Sequence, residues 1–431
     1  MTTALSDCLA LAAWLEATRA ADGFGGPVAH WWRDCLVDCR PGHDWRYEGI
    51  VAGYLSLYAA TGDEAWLARA GRAGDDVVAA QAPDGHYNRS QFEMNPGTAG
   101  TPHETGASIA LLLLGRALSS RDLDASHRYA RAAERNLRAQ IDALWSPESA
   151  TLRDHAERDS FVPNKACTFV EAMLLLADAT GSDRWVEEYA LPIAEMVLAH
   201  QIRRPGSHLD GAIAQNSVGR QIVPKYFPYY VARCIPGLLA LRQHDPDGRF
   251  ADAALAAGRF VAAAVEPDGA WPQVLYEDGR LIRFPRWVAG AGDVVRALEL
   301  LVPLGQRADT AASRAWIAAG RLPNGAVRTA DGFAAQGTST LRPGPPDLRD
   351  FLPVAGWADK TLRLWAGDPL AAGPAAGAAG PFEAVCVFLG RRLELRLDGA
   401  SVDVRQRGRS VYRWRAGEPW AELGEPWMAA R

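Results

Sequence analysis

Two kinds of helical hydrophobic pattern alternate along the chain. Over residues 63–80 the apolar side chains of Trp66 and Val77 share one face and Arg69 lies on the opposite one, which predicts an amphipathic surface helix. The run 109–114 is apolar on every face, which predicts a helix enclosed by protein on all sides. The chain therefore pairs surface helices with buried ones.

These patterns recur through most of the sequence. Amphipathic helices are predicted at 4–20, 63–80, 122–141, 183–201, 248–265 and 308–319. Apolar helices are predicted at 45–60, 103–118, 165–180, 228–242, 287–304 and 352–366. Six such pairs predict an all-α fold, the (α/α)6 toroid, in which the amphipathic helices surround an inner ring of apolar ones. The long connections all lead from an outer helix to an inner one, so they should lie on one rim, over the N-termini of the inner helices.

Short repeated sequences support this periodicity. The segment Thr61-Gly62-Asp63 is echoed by Thr180-Gly181-Ser182, each ending one helix and starting the next. Pairs of Asp or Asn with Gly, which favour turns, follow the amphipathic helices. They are Asp22-Gly23, Asp84-Gly85, Asp210-Gly211, Asp268-Gly269 and Asn324-Gly325.

The pattern changes after residue 366. Residues 367–381 are rich in Gly, Ala and Pro and predict a linker. Short alternating segments at 382–389, 393–397, 402–406 and 410–415 predict strands. We therefore expect a barrel over 1–366, a linker over 367–381 and a small β-rich extension over 382–431 that packs on the barrel.

Composition excludes several classes of function. The net charge of -5 argues against a nucleic-acid partner. The chain has no uncharged apolar run long enough to span a bilayer, and its first residues do not read as a signal peptide. Six cysteines in 431 residues predict free thiols and a cytoplasmic location.

The predicted inner helices begin with polar and aromatic residues, which is unusual for buried helices. These residues are Trp45, Arg46 and Glu48, then His103 and Glu104, then Lys165, then Lys225, Tyr226 and Tyr229, then Arg283, Arg286, Trp287 and Asp293, and finally Trp357, Asp359 and Lys360; Asp210 lies on a rim loop. Six helix N-termini aimed at one funnel present hydrogen-bond donors and partial positive charge. Aromatic rings among charged groups suit a sugar, whose C–H faces stack on rings while its hydroxyls and acids take charged hydrogen bonds.

Several of these residues could transfer protons. Glu48, Glu104 and His103 are candidates for acid and base, and Tyr229 and Asp293 are further catalytic candidates. Each also has a structural alternative. A capping box at the helix start would explain Glu104, neutralisation by Arg46 would explain Glu48, and helix packing would explain Asp293.

A zinc site is a weaker alternative. His30, Cys35, Cys39 and His43 are close in sequence, but their spacing matches no common zinc signature, so we expect neither a metal nor a cofactor. Motifs of serine hydrolases, P-loop nucleotide-binding proteins and zinc proteases are absent, and the Asp-rich motif of class II terpene cyclases is also missing.

On the paired helices, the Thr-Gly-Asp turns and the inner-helix starts rich in Trp, His and carboxylates, residues 4–366 resemble the (α/α)6-barrel carbohydrate-active enzymes. The unsaturated glucuronyl and rhamnogalacturonyl hydrolases are most similar in size, and uronate lyases and epimerases share the barrel. The resemblance implies an oligosaccharide substrate. It assigns no catalytic residue.

Four hypotheses follow. The first is an enzyme that hydrolyses or hydrates a short oligosaccharide containing uronic acid, in which Lys165, Lys225, Arg283 and Arg286 hold the carboxylate. The second is a lyase or C5-epimerase, in which Tyr229 or His103 takes the proton next to the carboxylate. The third is a cyclase-like tailoring enzyme for an apolar substrate, and the fourth a non-catalytic glycan-binding barrel.

Overall fold

The computed structural model describes residues 4–28, 37–39, 41–87, 102–341, 343–368 and 380–418. Its α-helices are α1 (Ala4–Ala17), α2 (Arg46–Thr61), α3 (Glu64–Ala79), α4 (Thr105–Leu118), α5 (Leu123–Leu144), α6 (Pro163–Thr180), α7 (Leu191–Ala199), α8 (Pro228–Ala240), α9 (Arg249–Ala263), α10 (Ala291–Glu299), α11 (Ala311–Ala319), α12 (Leu348–Phe351) and α13 (Ala355–Ala366). A π-helical turn, Val186–Ala190, precedes α7. None of the described helices is long and apolar enough to cross a membrane.

The inner helices close into a ring. Neighbouring inner helices pack against each other in the order α2, α4, α6, α8, α10 and α13, and α13 packs against α2. The helices α1, α3, α5, α7, α9 and α11 surround this ring, which confirms the predicted (α/α)6 toroid. Close approach within the ring depends on glycine: a Cβ at Gly49 would collide with Asp359, and one at Gly237 with the backbone of Cys167.

Some helix bounds differ from the prediction. The fifth inner helix is shorter at both ends than 287–304, because Arg286–Trp287 forms a strand with Ala330–Asp331 and a 3-10 turn, Val302–Leu304, follows Glu299. The helix predicted from residue 103 begins at Thr105, after a 3-10 turn over Pro102–Glu104. The expected N-cap of this helix, Thr101, lies outside the described residues.

The repeated Asx-Gly turns join neighbouring pairs of helices. Gly85, Gly211, Gly269 and Gly325 all have φ near +90°. Each lies against the backbone of the outer helix of the following pair, with no room for a Cβ: Gly85 meets Arg135 of α5, Gly211 meets Ala256 of α9, Gly269 meets Ala312 of α11, and Gly325 meets Ala10 of α1. The last contact joins the final outer helix to the first with the same turn that forms three other contacts between neighbouring outer helices, which we call seams.

Gly211→Ala is therefore expected to destabilise the protein more than Gly305→Ala. Both glycines have a left-handed backbone, with φ of +88° and +85°, so both substitutions carry a strain of about 1–2 kcal/mol. Only the Cβ at residue 211 meets another backbone, which should add about 1–3 kcal/mol. Urea unfolding of the two variants measures the difference, and equal losses would show that the turn is not tightly packed.

The connections between helices contain short antiparallel strands. They pair Arg19–Ala20 with Gly23–Phe24, Gly26–Val28 with Val37–Cys39, Trp145–Ser146 with Thr151–Leu152, and Val274–Leu275 with Leu281–Ile282. Ser160–Phe161, Asn216–Val218 and Gln221–Val223 form a three-stranded sheet. These hairpins lie in the long connections between outer and inner helices.

The C-terminal strands form one antiparallel meander, as predicted. Its strands are Phe382–Phe388, Arg391–Asp398, Ser401–Gln406 and Arg409–Trp414. The Nδ2 of Asn324 donates to the carbonyl of Gly399 at 2.8 Å, and the rings of Phe351 and Phe382 pack 5.2 Å apart. This sheet therefore packs on the barrel; the division of the chain at 366 and 382 stays a prediction.

Candidate active site

Aromatic and basic side chains from five inner-helix starts meet at one end of the barrel. The indole rings of Trp287 and Trp357 stack with centroids 4.4 Å apart, and Tyr229 packs edge-on against Trp357 at 5.4 Å. The ring of Trp45 lies 6.2 Å from that of His103, and the Nζ of Lys360 lies 5.9 Å from the centroid of Trp45. We call Trp45, His103, Tyr229, Trp287, Trp357 and Lys360 the mouth cluster.

Glycines allow these groups to come so close. Gly106, in the first turn of α4, lies against the backbone of Trp45, and Gly290 lies against the ring of Trp357. Gly292 packs on the backbone of Lys360. The Gly290-Ala291-Gly292 sequence therefore serves the approach of α10 to α13.

A narrow cleft adjoins the mouth cluster. Its walls include Tyr229, Trp271, Gln273 and Trp287, and its volume is about 20 Å³. The Oε1 of Gln273 is buried there without a hydrogen-bond partner among the described residues. An unpaired amide oxygen between aromatic rings is suited to accept a hydrogen bond from a hydroxyl.

Asp359 and Lys360 form a buried pair beside this cluster. The Nζ of Lys360 lies 2.8 and 3.0 Å from the two carboxylate oxygens of Asp359. Burial raises the pKa of Asp359 to about 7, although Lys360 acts in the opposite direction. Near neutral pH this carboxyl group therefore exchanges a proton, which changes the charge beside Trp45.

The raised pKa of Asp359 makes the stability of the fold depend on pH. The folded protein holds this proton more tightly than the unfolded chain, so the contribution is complete below about pH 4 and is lost as the pH rises through about 7. The wild type and Asp359→Asn differ in their free energy of unfolding. This difference, wild type minus variant, should fall by on the order of 3 kcal/mol over this window. Guanidinium unfolding at several pH values tests this, and a difference that is flat or rises with pH would contradict it.

A network of four charges lies on the barrel axis, one helical turn deeper than the mouth cluster. The Nη2 of Arg233 lies 3.0 Å from Glu48, and its Nη1 lies 3.2 Å from Asp293. The Nε of Arg363 lies 2.9 Å from Asp293, and its Nη1 also bonds Glu48. We call Glu48, Arg233, Asp293 and Arg363 the axial network; all four side chains are buried.

Helix geometry explains the axial network. Glu48 and Asp293 lie in the first turns of α2 and α10, where the helix dipole favours carboxylates. Arg233 and Arg363 start deeper in α8 and α13 and extend toward the helix N-termini, as helical side chains do. Burial alone would raise the pKa of both carboxyl groups, but Arg233, Arg363 and Lys360 hold them below their usual values.

Because both are ionised and fully paired, Glu48 and Asp293 are poorly suited to give or take a proton. Arg46, which the sequence offered as a partner for Glu48, instead bonds Asp44 at 2.8 Å and the carbonyl of Phe24 at 2.9 Å. The partners of Glu48 come from α8 and α13.

Glu104 fastens the loop before α4. Its Oε2 accepts hydrogen bonds from the Nδ2 of Asn136 at 2.8 Å and from the backbone N of Tyr87 at 3.2 Å, and lies 3.2 Å from the Nδ1 of His86. The hydrogen bond to Glu104 raises the pKa of His86. These contacts fit a positioning role for Glu104 beside His103.

The four cations predicted to hold a substrate carboxylate are not members of the mouth cluster. Arg286 is bonded by Glu266, Asp268 and Asp331, at 3.0, 2.6 and 2.5 Å. Lys165 pairs with Asp154 at 2.9 Å, Arg283 bonds Glu266, and Lys225 is exposed on a loop. The first three already have protein carboxylates as partners, which leaves them poorly suited to hold the carboxylate of a substrate.

The remaining predicted residues have local partners. Tyr226 is buried and donates to Glu277 at 3.2 Å, and Asp210 accepts from the backbone N of Arg204 at 2.8 Å. His43 lies 3.3 Å from the carbonyl of Asp22, and burial lowers its pKa to about 4. The side chains of the other three zinc candidates lie outside the described residues; within those, no group of three or more His, Cys, Asp or Glu could hold a metal ion.

Solved structures share this architecture at low sequence identity. An inactive variant of α-1,6-mannanase GH76A from Salegentibacter sp. HEL1_6, in complex with α-1,6-mannotriose, matches with a TM-score of 0.55 and 14% identity over 84% of this chain and 98% of that one. Unsaturated glucuronyl hydrolase from Bacillus sp. GL1 matches with a TM-score of 0.55 and 15% identity over 84% and 95%. A possible GH105 family member from Klebsiella pneumoniae matches with a TM-score of 0.57 and 12% identity over 85% and 93%.

The chain is an (α/α)6 barrel. The similarity extends over nearly the whole length of each of these carbohydrate-active enzymes, and at 12–15% identity it shows the fold alone. No protein-family model matches the sequence, and no curated protein matches it.

Sequence reasoning missed the arginines of this (α/α)6 barrel. Arg233 and Arg363 occur inside otherwise apolar inner helices, where a charge is costly unless it is paired. That position was a usable signal, because a buried Arg on an inner helix requires a carboxylate on a neighbouring one. Glu48 and Asp293 were the available partners.

Proposed function

We propose that this protein is a carbohydrate-active enzyme that binds an oligosaccharide at the mouth cluster and hydrolyses a glycosidic bond by acid–base catalysis. The observation that carries the proposal is the Trp287–Trp357 stack with Tyr229 beside it, at convergent inner-helix starts that also carry His103 and Lys360. Paired rings of this kind bind the C–H faces of sugars, and the neighbouring amide oxygen of Gln273 suits a sugar hydroxyl.

His103 is our candidate for the proton-transferring group. Its ring lies beside Trp45 in the mouth cluster, and histidine is the side chain that enzymes use most often for proton transfer. Glu104 would position it by fixing the adjacent turn. The structural neighbours support hydrolysis, because the mannanase and the glucuronyl hydrolase are named as glycosidases.

We further propose an acidic sugar as substrate and a cytosolic location. The acidic sugar is suggested by the name of one neighbour, which refers to an unsaturated glucuronyl group. The cytosolic location rests on the scarcity of cysteine in the sequence.

Elimination with Tyr229 as the base is less favoured at this site. Burial, with Asp293 nearby, raises the pKa of Tyr229 well above its usual value. A phenol that holds its proton so firmly is a poor base for removing a proton next to a carboxylate.

A screen of oligosaccharides tests the proposal. The panel should contain unsaturated glucuronyl disaccharides, saturated uronate oligosaccharides and α-1,6-mannooligosaccharides, with readouts of new reducing ends and of ultraviolet absorbance by unsaturated rings. Hydrolysis produces new reducing ends, and with an unsaturated substrate the ultraviolet absorbance is also lost. The substitution Trp357→Ala should abolish hydrolysis. New absorbance would replace hydrolysis by elimination, binding without turnover would indicate a glycan-binding barrel, and no binding at all would refute a sugar ligand.

A further inference from the structure

A second cavity opens at the opposite end of the barrel from the mouth cluster. It has a volume of about 650 Å³ and lies between the C-terminal halves of α2, α4, α10 and α13. This volume is in the range of small-molecule sites, roughly 300–1,000 Å³. Part of its wall is apolar, formed by Leu55, Leu113, Leu300 and Leu364.

The charged side chains of this cavity are unequally paired. The carboxylates of Glu299 and Asp368 are both bonded by Arg314, at 2.8 and 2.7 Å. Arg296 and Arg116 also line the cavity, and neither makes a side-chain hydrogen bond or an ion pair with any described residue. Among the described residues, the cavity therefore holds two arginines without a direct counter-ion and two carboxylates that already have one. Its fifth charged side chain, Arg363, is paired within the axial network.

Arg296 makes no direct ion pair with any described residue, and distant carboxyl groups balance its charge only in part. The axial network above it contains two carboxylates and two arginines, so it is balanced in itself. Burial, and after it Arg363, lowers the pKa of Arg296, although the carboxyl groups of Glu171, Asp293 and Glu48 act in the opposite direction. Among these carboxyl groups Glu171 acts most strongly on Arg296. Burial together with Glu48 raises the pKa of Glu171, against the opposing effect of Arg296, which favours its neutral form.

We propose that this cavity binds a small organic anion, one with a carboxylate or phosphate group that pairs with Arg296 and Arg116 and an apolar body that packs on the leucine wall. A guanidinium binds either anionic group through two parallel hydrogen bonds. The site is separate from the mouth cluster and does not depend on the proposed sugar chemistry.

Two simpler explanations account for less. A cation near a helix C-terminus gains some stability from the helix dipole, which fits the exposed Arg116. That gain does not explain why Arg296 lies partly buried and unpaired beside another arginine. The chain segment 369–379, which follows Asp368, has no acidic residue and cannot supply the missing charge.

Titration calorimetry on the full chain at constant ionic strength tests the proposal. The probes are phenyl phosphate and phenylacetate, with benzyl alcohol as the neutral analogue. We expect at least one anion to bind and the alcohol to bind at least about tenfold more weakly, because a charge-assisted hydrogen bond is lost. Comparing the two anions identifies which acid group the site prefers.

Variants then assign the binding to this cavity. Arg296→Met should weaken the anion by at least about tenfold, whereas Arg184→Met, at an exposed ion pair outside the cavity, should not change it. Ala59→Phe, at an exposed position on the cavity wall, should block anion binding without disturbing the core. This variant tests the proposal even if Arg296→Met does not fold. Absence of anion binding, binding that survives Ala59→Phe, or binding that Trp357→Ala abolishes would each overturn the proposal.

Discussion

Arg233→Met is expected to lower the free energy of unfolding by about 3–5 kcal/mol, the largest loss among single substitutions considered for this protein. Arg233 is buried and contacts both Glu48 and Asp293, so its removal leaves the axial network with two carboxylates and one arginine. Arg363 alone cannot neutralise both carboxylates, so one of them must either stay charged without a partner or take up a proton. Urea unfolding at neutral pH measures the loss.

A second substitution separates charge imbalance from lost packing. Glu48→Gln in the Arg233→Met background removes one excess negative charge, so the double variant should be more stable than Arg233→Met alone. Arg184→Met provides the surface control, because Arg184 pairs with Glu188 at an exposed position and its loss should cost less than about 1 kcal/mol. If Arg233→Met and Arg184→Met destabilise equally, the axial network does not contribute to stability as we infer.

His103→Ala is expected to lower kcat by about 10²–10⁴-fold on the oligosaccharide that the screen identifies. The imidazole lies in the mouth cluster at 6.2 Å from Trp45, and we assign proton transfer to it. Steady-state kinetics of the wild type and the variant, at one pH and with the same substrate, measures the loss.

His200→Ala is the matched control for this experiment. His200 is as buried as His103, but it lies at the end of an outer helix, with its Nδ1 2.8 Å from the carbonyl of Met196. Its loss should affect the melting temperature more than kcat. An unchanged kcat in His103→Ala would remove the acid–base assignment and leave the sugar-binding proposal in place.

The sequence was sufficient to predict the ring of helices. Outer helices such as α3 and α9 carry a clear polar face, so they were found to within one or two residues, and the apolar inner helices followed from contrast with them. The Asx-Gly pairs were also informative, since only glycine reaches a left-handed backbone without strain. Local pattern and turn chemistry determine these features.

The arrangement of charges could not be predicted in the same way. From the sequence, Glu48 and Asp293 are equally catalytic candidates or structural charges, because their partners, Arg233 and Arg363, are distant along the chain. Arg286 was interpreted as a substrate anchor, whereas carboxylates from three separate positions in loops and a strand bond it. Pairing of buried charges depends on which helix faces meet, and periodicity in one chain does not contain that information.

The turn at Gly325 has a consequence for how the molecule unfolds. In an open solenoid the terminal repeats need special polar caps and can fray independently of the rest. Here the last outer helix is fastened to the first by the same turn that fastens its neighbours, so no repeat is terminal. Loss of any one seam would expose two repeats at once, and we therefore expect the barrel to melt as a single cooperative unit.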